Sequence, residues 1–307
     1  MKQSYDNSKC NSPMWCTSYT QDVNAQAGQL KGWQQEYNQL SDGTFQGAMI
    51  HTDLGHFRLF QEHTSQALQQ FCRIPEGAIW IGFSATPQRV CINHQQTNAN
   101  TLMVRPGGID FELSTDINST LFGVVIASDT LKGQSERLLG HFAETLDTPQ
   151  INALRNYMAT VFKAQRLRWQ SKTHQQLLHD YFNSLLSSSE KNAQLTKNRN
   201  QAISAVRTYL SEANNEATIT VAGLATVAGL SPRDLYRLFY DHYGVSPARF
   251  LQSRRLNKVR RELQNNFNKR CVADIAFENG FFHLSQFSKQ YCRLFGELPS
   301  KTKLTDV

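Results

Sequence analysis

Arginine and tyrosine side chains line one face of a predicted helix near residue 235. Leu235, Leu238 and Phe239 recur at helical spacing and form an apolar face. The residues left on the opposite face are Arg233, Tyr236, Arg237 and Tyr240. A guanidinium group can donate two hydrogen bonds to a guanine edge, and tyrosine can contact a phosphate or a thymine methyl group. This face is typical of a helix that enters the major groove of DNA.

The segment that holds this helix is one copy of an internal repeat. Residues 221–225 (VAGLA) recur as 272–276 (VADIA), and Gly229 matches Gly280 at the same offset of 51. Beyond that turn the offset is 52, so the second turn holds one more residue. The outward residues of the second copy are predicted to be Leu284, Ser285, Gln286 and Lys289. A unit that is present twice is difficult to obtain by chance.

Each copy is predicted to be a helix, a tight turn and a second helix. In the first copy, Gly229 permits the positive φ that ends a helix. Ser231 followed by Pro232, with Asp234 at the third helical position, is typical of a helix N-terminus. These signals place the arginine and tyrosine face on the second helix of a helix-turn-helix.

A basic helix is predicted between the two copies, over residues 248–265. We predict that Arg254, Lys258 and Arg261 on this helix contact DNA phosphates. About 18 residues with a rise of 1.5 Å make a helix of roughly 27 Å. Such a helix would hold two recognition helices near one DNA turn apart, roughly 34 Å.

The charge of the chain is concentrated in the same region. The 307 residues contain 32 Lys and Arg against 25 Asp and Glu, a net charge of +7. Residues 200–307 hold 15 of the basic and 9 of the acidic residues, a net charge of +6, so residues 1–199 carry only +1. A basic excess on the repeat favours a nucleic acid as partner.

Several classes of protein are disfavoured by what the sequence lacks. It has no apolar run near the roughly 18 residues of a membrane span and no signal peptide, so we expect a cytoplasmic protein without a membrane partner. Six cysteines without C-x-x-C spacing indicate neither a disulfide framework nor a zinc site. The sequence has no nucleotide-binding or catalytic motif, so we expect no enzyme, no bound metal and no cofactor required for folding.

The first 190 residues predict a different architecture. A polar tail is expected over 1–28, then a ligand-sensing domain over 29–190, a linker over 191–199 and the DNA-binding domain over 200–307. Short β-like runs between residues 44 and 127 predict a cupin-like barrel, followed by two helices near 151–162 and 174–186. The predicted fold class is α+β, with a β-rich N-terminal barrel and an all-α C-terminal domain.

The last 100 residues resemble the AraC/XylS family of bacterial transcription regulators. The motif residues of the first unit are Leu224, Ala225, Ser231, Arg233, Leu235, Arg237, Phe239, Gly244, Pro247, Arg255 and Leu256; those of the second are Ile275, Ala276, Gly280, Phe281, Ser285, Phe287, Ser288, Lys289, Phe295, Gly296, Pro299 and Ser300. Lys289 stands where arginine is usual. The resemblance implies a small-molecule-controlled activator that binds double-stranded promoter DNA and recruits RNA polymerase. A homodimer is compatible with it.

A second resemblance covers roughly residues 30–130. Residues 32–35 (GWQQ), 105–108 (RPGG), 111–115 (FELST) and 121–125 (LFGVV) are similar to regulators of ethanolamine utilisation in that family. This resemblance implies ethanolamine, with adenosylcobalamin, as the effector. The candidate effector-binding residues are Trp33, Trp80, Phe83 and Glu112. The three aromatic residues fit a hydrophobic core equally well, and Glu112 fits an ordinary surface carboxylate.

Three alternatives remain open on the sequence. The first is a regulator of the same family that senses a different small metabolite. The second is a cupin-type enzyme with an accessory helical domain, and the third is an interaction module whose basic region docks an acidic partner. Bound metal with turnover would favour the enzyme. Discrimination between base pairs would favour a DNA-binding protein over the interaction module.

Overall fold

A computed structural model describes residues 15–85, 88–93, 95–98, 100–127, 130, 145–147, 150–164, 171–188, 197–213, 216–266 and 270–302. Among the described residues, strands dominate up to residue 147 and helices dominate after it. The expected α+β organisation is confirmed. Within the described ranges, no helix has both the length and the apolar character needed to cross a lipid bilayer.

Twelve strands of the N-terminal domain lie within the described residues. They are β1 (Trp15–Thr20), β2 (Gln34–Gln39), β3 (Gly47–Leu54), β4 (Phe57–Thr64), β5 (Leu68–Arg73), β6 (Ala78–Ser84), β7 (Val90–Ile92), β8 (Gln95–Gln96), β9 (Thr101–Pro106), β10 (Asp110–Thr115), β11 (Ser119–Ala127) and β12 (Thr145–Asp147). One sheet has the order β1-β3-β4-β11-β6-β9-β12 and the other the order β2-β5-β10-β7-β8. All neighbouring strands are antiparallel.

The two sheets are open, which corrects the prediction of a cupin-like barrel. No ladder joins the edge strands of one sheet to the other among the strands that the structure describes. An apolar core lies between the sheets and includes Tyr37, Phe60, Trp80, Met103 and Phe111. Because successive side chains of a strand point to opposite faces of its sheet, alternate residues of both sheets fill the core between them.

Two helices cover the other face of the seven-stranded sheet. They are α2 (Ile151–Lys163) and α3 (Ser171–Ser188), which follow a short helix, α1 (Val23–Ala27), near the chain start. Phe57, Phe83 and Phe122 of the sheet share a core with Leu154 and Phe182 of these helices. This agrees with the helical pair that the apolar spacing predicts.

Residues 15–28 of the predicted polar tail are ordered. Strand β1 pairs with β3 over its whole length, with Trp15 opposite Thr52. Helix α1 begins after Asp22, whose carboxylate accepts from the backbone N–H groups of Asn24 and Ala25 at 2.8 and 2.9 Å. Pairing and capping satisfy the backbone where polar composition alone predicted a loose segment. Residues 1–14 of that prediction lie outside the described residues.

Six helices of the C-terminal domain fall in the part of the chain that the structure describes. They are α4 (Lys197–Glu212), α5 (Val221–Ala228), α6 (Pro232–Tyr243), α7 (Pro247–Gln264), α8 (Val272–Glu278) and α9 (Leu284–Phe295), with short 3₁₀ turns at Glu216–Thr218 and Pro299–Lys301. Of the predicted linker, residues 191–196 lie outside the described residues and 197–199 begin α4. Helices α4 to α7 share one apolar core, and the C-terminal half of α7 shares a second core with α8 and α9.

Candidate nucleic-acid interface

The turn of the first unit has the geometry that its sequence predicts. Gly229 adopts a left-handed conformation with φ of 62° after α5, and the Leu230 amide donates to the carbonyl of Ala225 at 3.1 Å. Ser231 then caps α6, accepting from the Asp234 amide at 3.2 Å and donating to its carboxylate at 2.6 Å. These bonds fix the angle at which α6 leaves the turn.

The second unit repeats the glycine turn, although His283, which precedes α9, forms no side-chain capping hydrogen bond. Gly280 has φ of 83°, and the Phe281 amide donates to the carbonyl of Ala276 at 3.0 Å. Helices α6 and α9 are both 12 residues long, and each ends at a left-handed glycine, Gly244 or Gly296. The repeat in the sequence is therefore a repeat in the structure.

The predicted recognition faces are exposed. In the first unit, Tyr236 and Tyr240 are 43% and 57% exposed beside Arg233 and Arg237 on α6. In the second unit the predicted contact residues Leu284, Ser285, Gln286 and Lys289 of α9 are exposed. Whether these eight side chains contact DNA stays a prediction, and the structure leaves them accessible for it.

The basic helix α7 presents several of its arginines to the N-terminal domain instead of a free surface. Arg261 forms an ion pair with Glu36 of β2 at 3.0 Å and donates to Asn38 Oδ1 at 2.9 Å. Arg254 is bound by Glu216 and lies over the ring of Phe71 on β5, 5.8 Å from its centroid. In this arrangement Arg254 and Arg261 are not available for DNA.

A reciprocal amide pair continues this contact. Asn257 of α7 accepts from the backbone amide of Gln39 at 3.0 Å and donates to the Gln39 carbonyl at 2.9 Å. Lys258, the third predicted phosphate contact, is half-buried on the same helix. Contact of Arg254, Lys258 and Arg261 with DNA stays a prediction, because a basic stripe on a helix looks alike in the sequence whether it faces DNA or a polar domain surface.

The N-terminal domain also holds the C-terminal ends of both recognition helices. Arg89 donates to the carbonyls of Tyr240 and Asp241 at the end of α6, at 2.6 and 3.0 Å. A cation at this end interacts favourably with the helix dipole. Because 12 residues make a helix of about 18 Å, the first turn of α6 lies well beyond this contact.

The end of α9 is held by the loop after β2. The Gly43 amide donates to the carbonyls of Arg293 and Leu294 at 3.1 and 3.2 Å, and the Gln39 side chain donates to the Leu294 carbonyl at 2.6 Å. Asp42 of the same loop forms an ion pair with Arg293 at 2.6 Å. Both recognition helices thus extend away from a fixed C-terminal end.

The predicted effector-binding residues fall into three places. Trp33 and Trp80 lie together between the sheets, with ring centroids 6.1 Å apart, and Trp80 stacks on Phe111 at 5.2 Å. Phe83 faces the opposite side of its sheet, in the core shared with α2 and α3. The structure therefore does not bring Phe83 into one site with the two tryptophans.

Glu112 lies under the C-terminal domain and is fully buried, so it is not a surface carboxylate. It forms an ion pair with Arg207 of α4 at 3.1 Å and accepts from Gln69 Nε2 at 3.1 Å. Burial raises the pKa of Glu112, while Arg207 and Gln69 oppose that shift. The carboxyl joins the two domains.

A polar cleft opens beside Glu112. It has a volume of about 690 Å³ and lies between the five-stranded sheet and α4. Its charged lining consists of Glu36, Arg73, Asp110, Glu112, Arg207 and Arg254. This balance of charges suits a small polar ligand better than an apolar one.

A second buried carboxyl lies inside the N-terminal domain. Glu62 of β4 accepts hydrogen bonds from Gln26 of α1 at 2.8 Å and from the Tyr37 hydroxyl at 3.1 Å. Burial raises the pKa of Glu62 to about 7, although both hydrogen bonds lower it. Across the described ranges, no three His, Cys, Asp or Glu side chains are grouped so as to hold a metal ion.

The contacts between the domains were missed by the sequence reasoning. Asp22, Asn257 and Arg89 carry no local pattern that marks them as interface residues, and their partners lie more than 150 positions away. The one available signal was the amide-rich composition of β2 and β5 opposite the basic helix that they cover. That signal needs the pairing of the domains to be known first.

Comparison with known proteins agrees with the repeat. Residues 224–304 match the family model described as a helix-turn-helix domain. The chain is 41% identical over 92 residues to XylDLEGF operon transcriptional activator 1 of Pseudomonas putida, which covers 30% of this chain and 28% of that protein. XylDLEGF operon transcriptional activator 2 of the same organism is 40% identical over 92 residues, 30% of this chain and 59% of that protein.

Further similarities cover other shares of the chain. The virulence regulon transcriptional activator VirF of Yersinia enterocolitica is 35% identical over 79 residues, 26% of this chain and 28% of that protein. The crystal structure of the AraC-like transcriptional activator CuxR covers 86% of this chain and all of that one, at 15% identity and a TM-score of 0.46. A transcriptional regulator from Chromobacterium violaceum with an AraC-type DNA-binding domain matches 34% of this chain and 88% of its own, at 29% identity and a TM-score of 0.30.

The matches to curated relatives are confined to the segment that forms the two units. The chain spans between about a quarter and three fifths of the length of those relatives. The residues matched by the family model begin in α5 and end beyond α9. Residues 224–304 of this chain are accordingly a helix-turn-helix domain, and this part of the chain is similar to curated transcriptional activators.

Proposed function

We propose that the whole protein is a sequence-specific DNA-binding regulator that activates transcription in response to a small molecule. The observation that supports this most strongly is the pair of exposed recognition faces on α6 and α9, which are presented by two copies of a helix-turn-helix unit. Promoter DNA is the partner, RNA polymerase is recruited in the cytoplasm, and a homodimer is compatible with this role.

The direct test is the selection of bound duplexes from fragmented genomic DNA by the full chain. We expect a small set of related sequences with affinities well above that for unrelated DNA. Arg237→Ala removes a predicted base contact. Arg58→Ala removes a partly exposed arginine of the N-terminal domain and is the matched control. Binding of all fragments with equal affinity would reject the proposal.

The β-rich domain is proposed to bind the effector, with ethanolamine and adenosylcobalamin as candidates from the resemblance. The cleft beside Glu112 supports a small polar ligand, because both carboxylates and guanidinium groups line it: Glu36, Asp110, Glu112, Arg73, Arg207 and Arg254. An ammonium group can donate to such carboxylates. Contacts there would reach both domains at once.

Thermal unfolding of the full chain tests this assignment. Ethanolamine, alone or with adenosylcobalamin, is expected to raise the melting temperature as its concentration passes its dissociation constant. Ethylene glycol, which lacks the ammonium group, is the matched control. The absence of a shift at saturating concentration would reject ethanolamine and leave a different metabolite as the effector.

A further inference from the structure

The turn of the second unit contains one residue that the first turn lacks. Leu230 and Phe281 are equivalent, since each amide donates to a carbonyl five residues earlier, at 3.1 and 3.0 Å. Ser231 and His283 are also equivalent, as the residues that precede α6 and α9. The residue that changes the offset from 51 to 52 is therefore Phe282.

This extra residue presents its ring to solvent. Phe281 packs inward against Phe287, with ring centroids 5.1 Å apart, whereas Phe282 is 73% exposed. Leu284, two positions later, is 40% exposed. Within the described residues, Phe282 is the most exposed large apolar side chain of the C-terminal domain.

Phe282 stands at the edge of a groove between the two units. The groove has a volume of about 420 Å³ and is lined on one side by Phe282, His283 and Gln286 and on the other by Thr220 and Arg255. Gln286 belongs to the exposed face of α9, so the ring continues that face. The ring thus lies where the first turn of a recognition helix meets base edges.

We propose that Phe282 contacts the methyl group of a thymine beside the bases read by α9. A phenyl ring has no hydrogen-bonding group, and the thymine methyl is the apolar group of the major groove. The first unit offers Arg233 and Arg237 at its recognition face, which suit guanine. The second unit offers an apolar and amide surface, so the two units would read different bases.

This inference rests on the proposed function, and one experiment separates the two. Duplexes selected by the wild-type full chain are resynthesised with deoxyuridine in place of each thymine in the half-site of the second unit, which removes a single methyl group each time. At the position that Phe282 contacts, we expect the affinity of the wild type to fall about fourfold, because the contact then buries one methyl group fewer. Phe282→Ala should lose affinity on the thymine duplex and lose nothing further on that deoxyuridine duplex.

Two further variants make the result decisive. Phe282→Leu keeps an apolar side chain and should retain part of the thymine preference. Tyr19→Ala removes a ring that is 79% exposed on β1, in the other domain, and should bind like the wild type. Equal loss of affinity by Phe282→Ala on selected and unrelated duplexes, or no loss at all, overturns the inference. A wild-type protein that selects no sequence overturns the proposed function itself.

Discussion

Asp22 and Arg260 form an ion pair across 238 positions of the sequence, with Asp22 Oδ2 2.7 Å from Nη2 and 2.9 Å from Nε. Asp22 caps α1, and Arg260 lies on α7 between the two units. Arg260 also donates to Glu297 at 2.7 Å and lies over the ring of Phe295 at 4.7 Å. One guanidinium group thus joins the N-terminal domain to the second unit.

Removal of this guanidinium should destabilise the full chain. Arg260→Ala leaves the carboxylates of Asp22 and Glu297 without their partner, and we expect a loss of about 3 kcal/mol in the free energy of unfolding, since its side chain is only 9% exposed. Chemical denaturation measures the loss. Arg58→Ala breaks the exposed pair with Asp53 and should change the stability by less than about 1 kcal/mol. Equal effects of the two substitutions would contradict the role of Arg260.

The position of Arg261 predicts which basic residues set the salt dependence of DNA binding. Lys289→Gln on the exposed face of α9 should reduce the slope of log Kd against log salt concentration by about 0.9, if it removes one phosphate contact. Arg261→Gln should leave the slope unchanged, because its partner is Glu36. Titrations at four salt concentrations measure both slopes. A reduced slope for Arg261→Gln would show that α7 leaves the N-terminal domain when DNA binds.

Arg237 should read a base, whereas Lys258 should not. Arg237→Ala is expected to cost about 1–3 kcal/mol of binding free energy at one base position and to relax the preference there. Lys258→Ala, on the helix between the units, should weaken binding to all duplexes by a similar factor. Affinities for a panel of single-base variants of the selected duplex separate the two patterns. A uniform loss for both variants would refute base reading by Arg237.

Glu62 predicts a pH dependence of stability. Its pKa is raised to about 7 in the folded chain from an ordinary value of 4.5, so the folded state holds a proton that the unfolded state releases between these values. The contribution of Glu62 to the free energy of unfolding therefore falls by about 3 kcal/mol as the pH rises from about 4.5 to 7. It stays at this lower value above pH 7. Glu62→Gln should remove this dependence and be more stable than the wild type at pH 8.

Denaturation curves at pH 5 and pH 8 measure the difference. Glu112 also has a raised pKa, and the lowered pKa values of His51 and His174 act in the opposite direction, so the comparison is made between the wild type and Glu62→Gln at each pH. Equal dependence of stability on pH in the two proteins would contradict the prediction, because it would mean that ionisation of Glu62 does not destabilise the folded state.

The sequence predicts the two units well because their signals are local. Gly229, Ser231 and the apolar spacing of α6 all lie within 15 residues, and the repeat provides a second copy of the pattern. The division of the β domain into two open sheets was not predictable in the same way, since strand order depends on pairings such as Gln34 with Arg73 that are distant in sequence.

The roles of Arg254, Arg261 and Glu112 were also beyond local reasoning. In the sequence each looks like a charged residue that faces solvent. In the structure each forms an ion pair across or beside the domain boundary. Their placement depends on how two folded surfaces meet. The basic excess of residues 200–307 is thus partly balanced within the protein itself.

The attachment of Arg89 and Gly43 to the C-terminal ends of α6 and α9 has a consequence for the operator. With both ends held by one body, the angle between the recognition helices cannot adapt to a change in the DNA. Insertion of about five base pairs between the two half-sites turns one of them to the far side of the duplex. A protein held in this way should no longer bind one of the two half-sites. The distance between half-sites therefore limits which genome positions it can regulate as strictly as their sequence does.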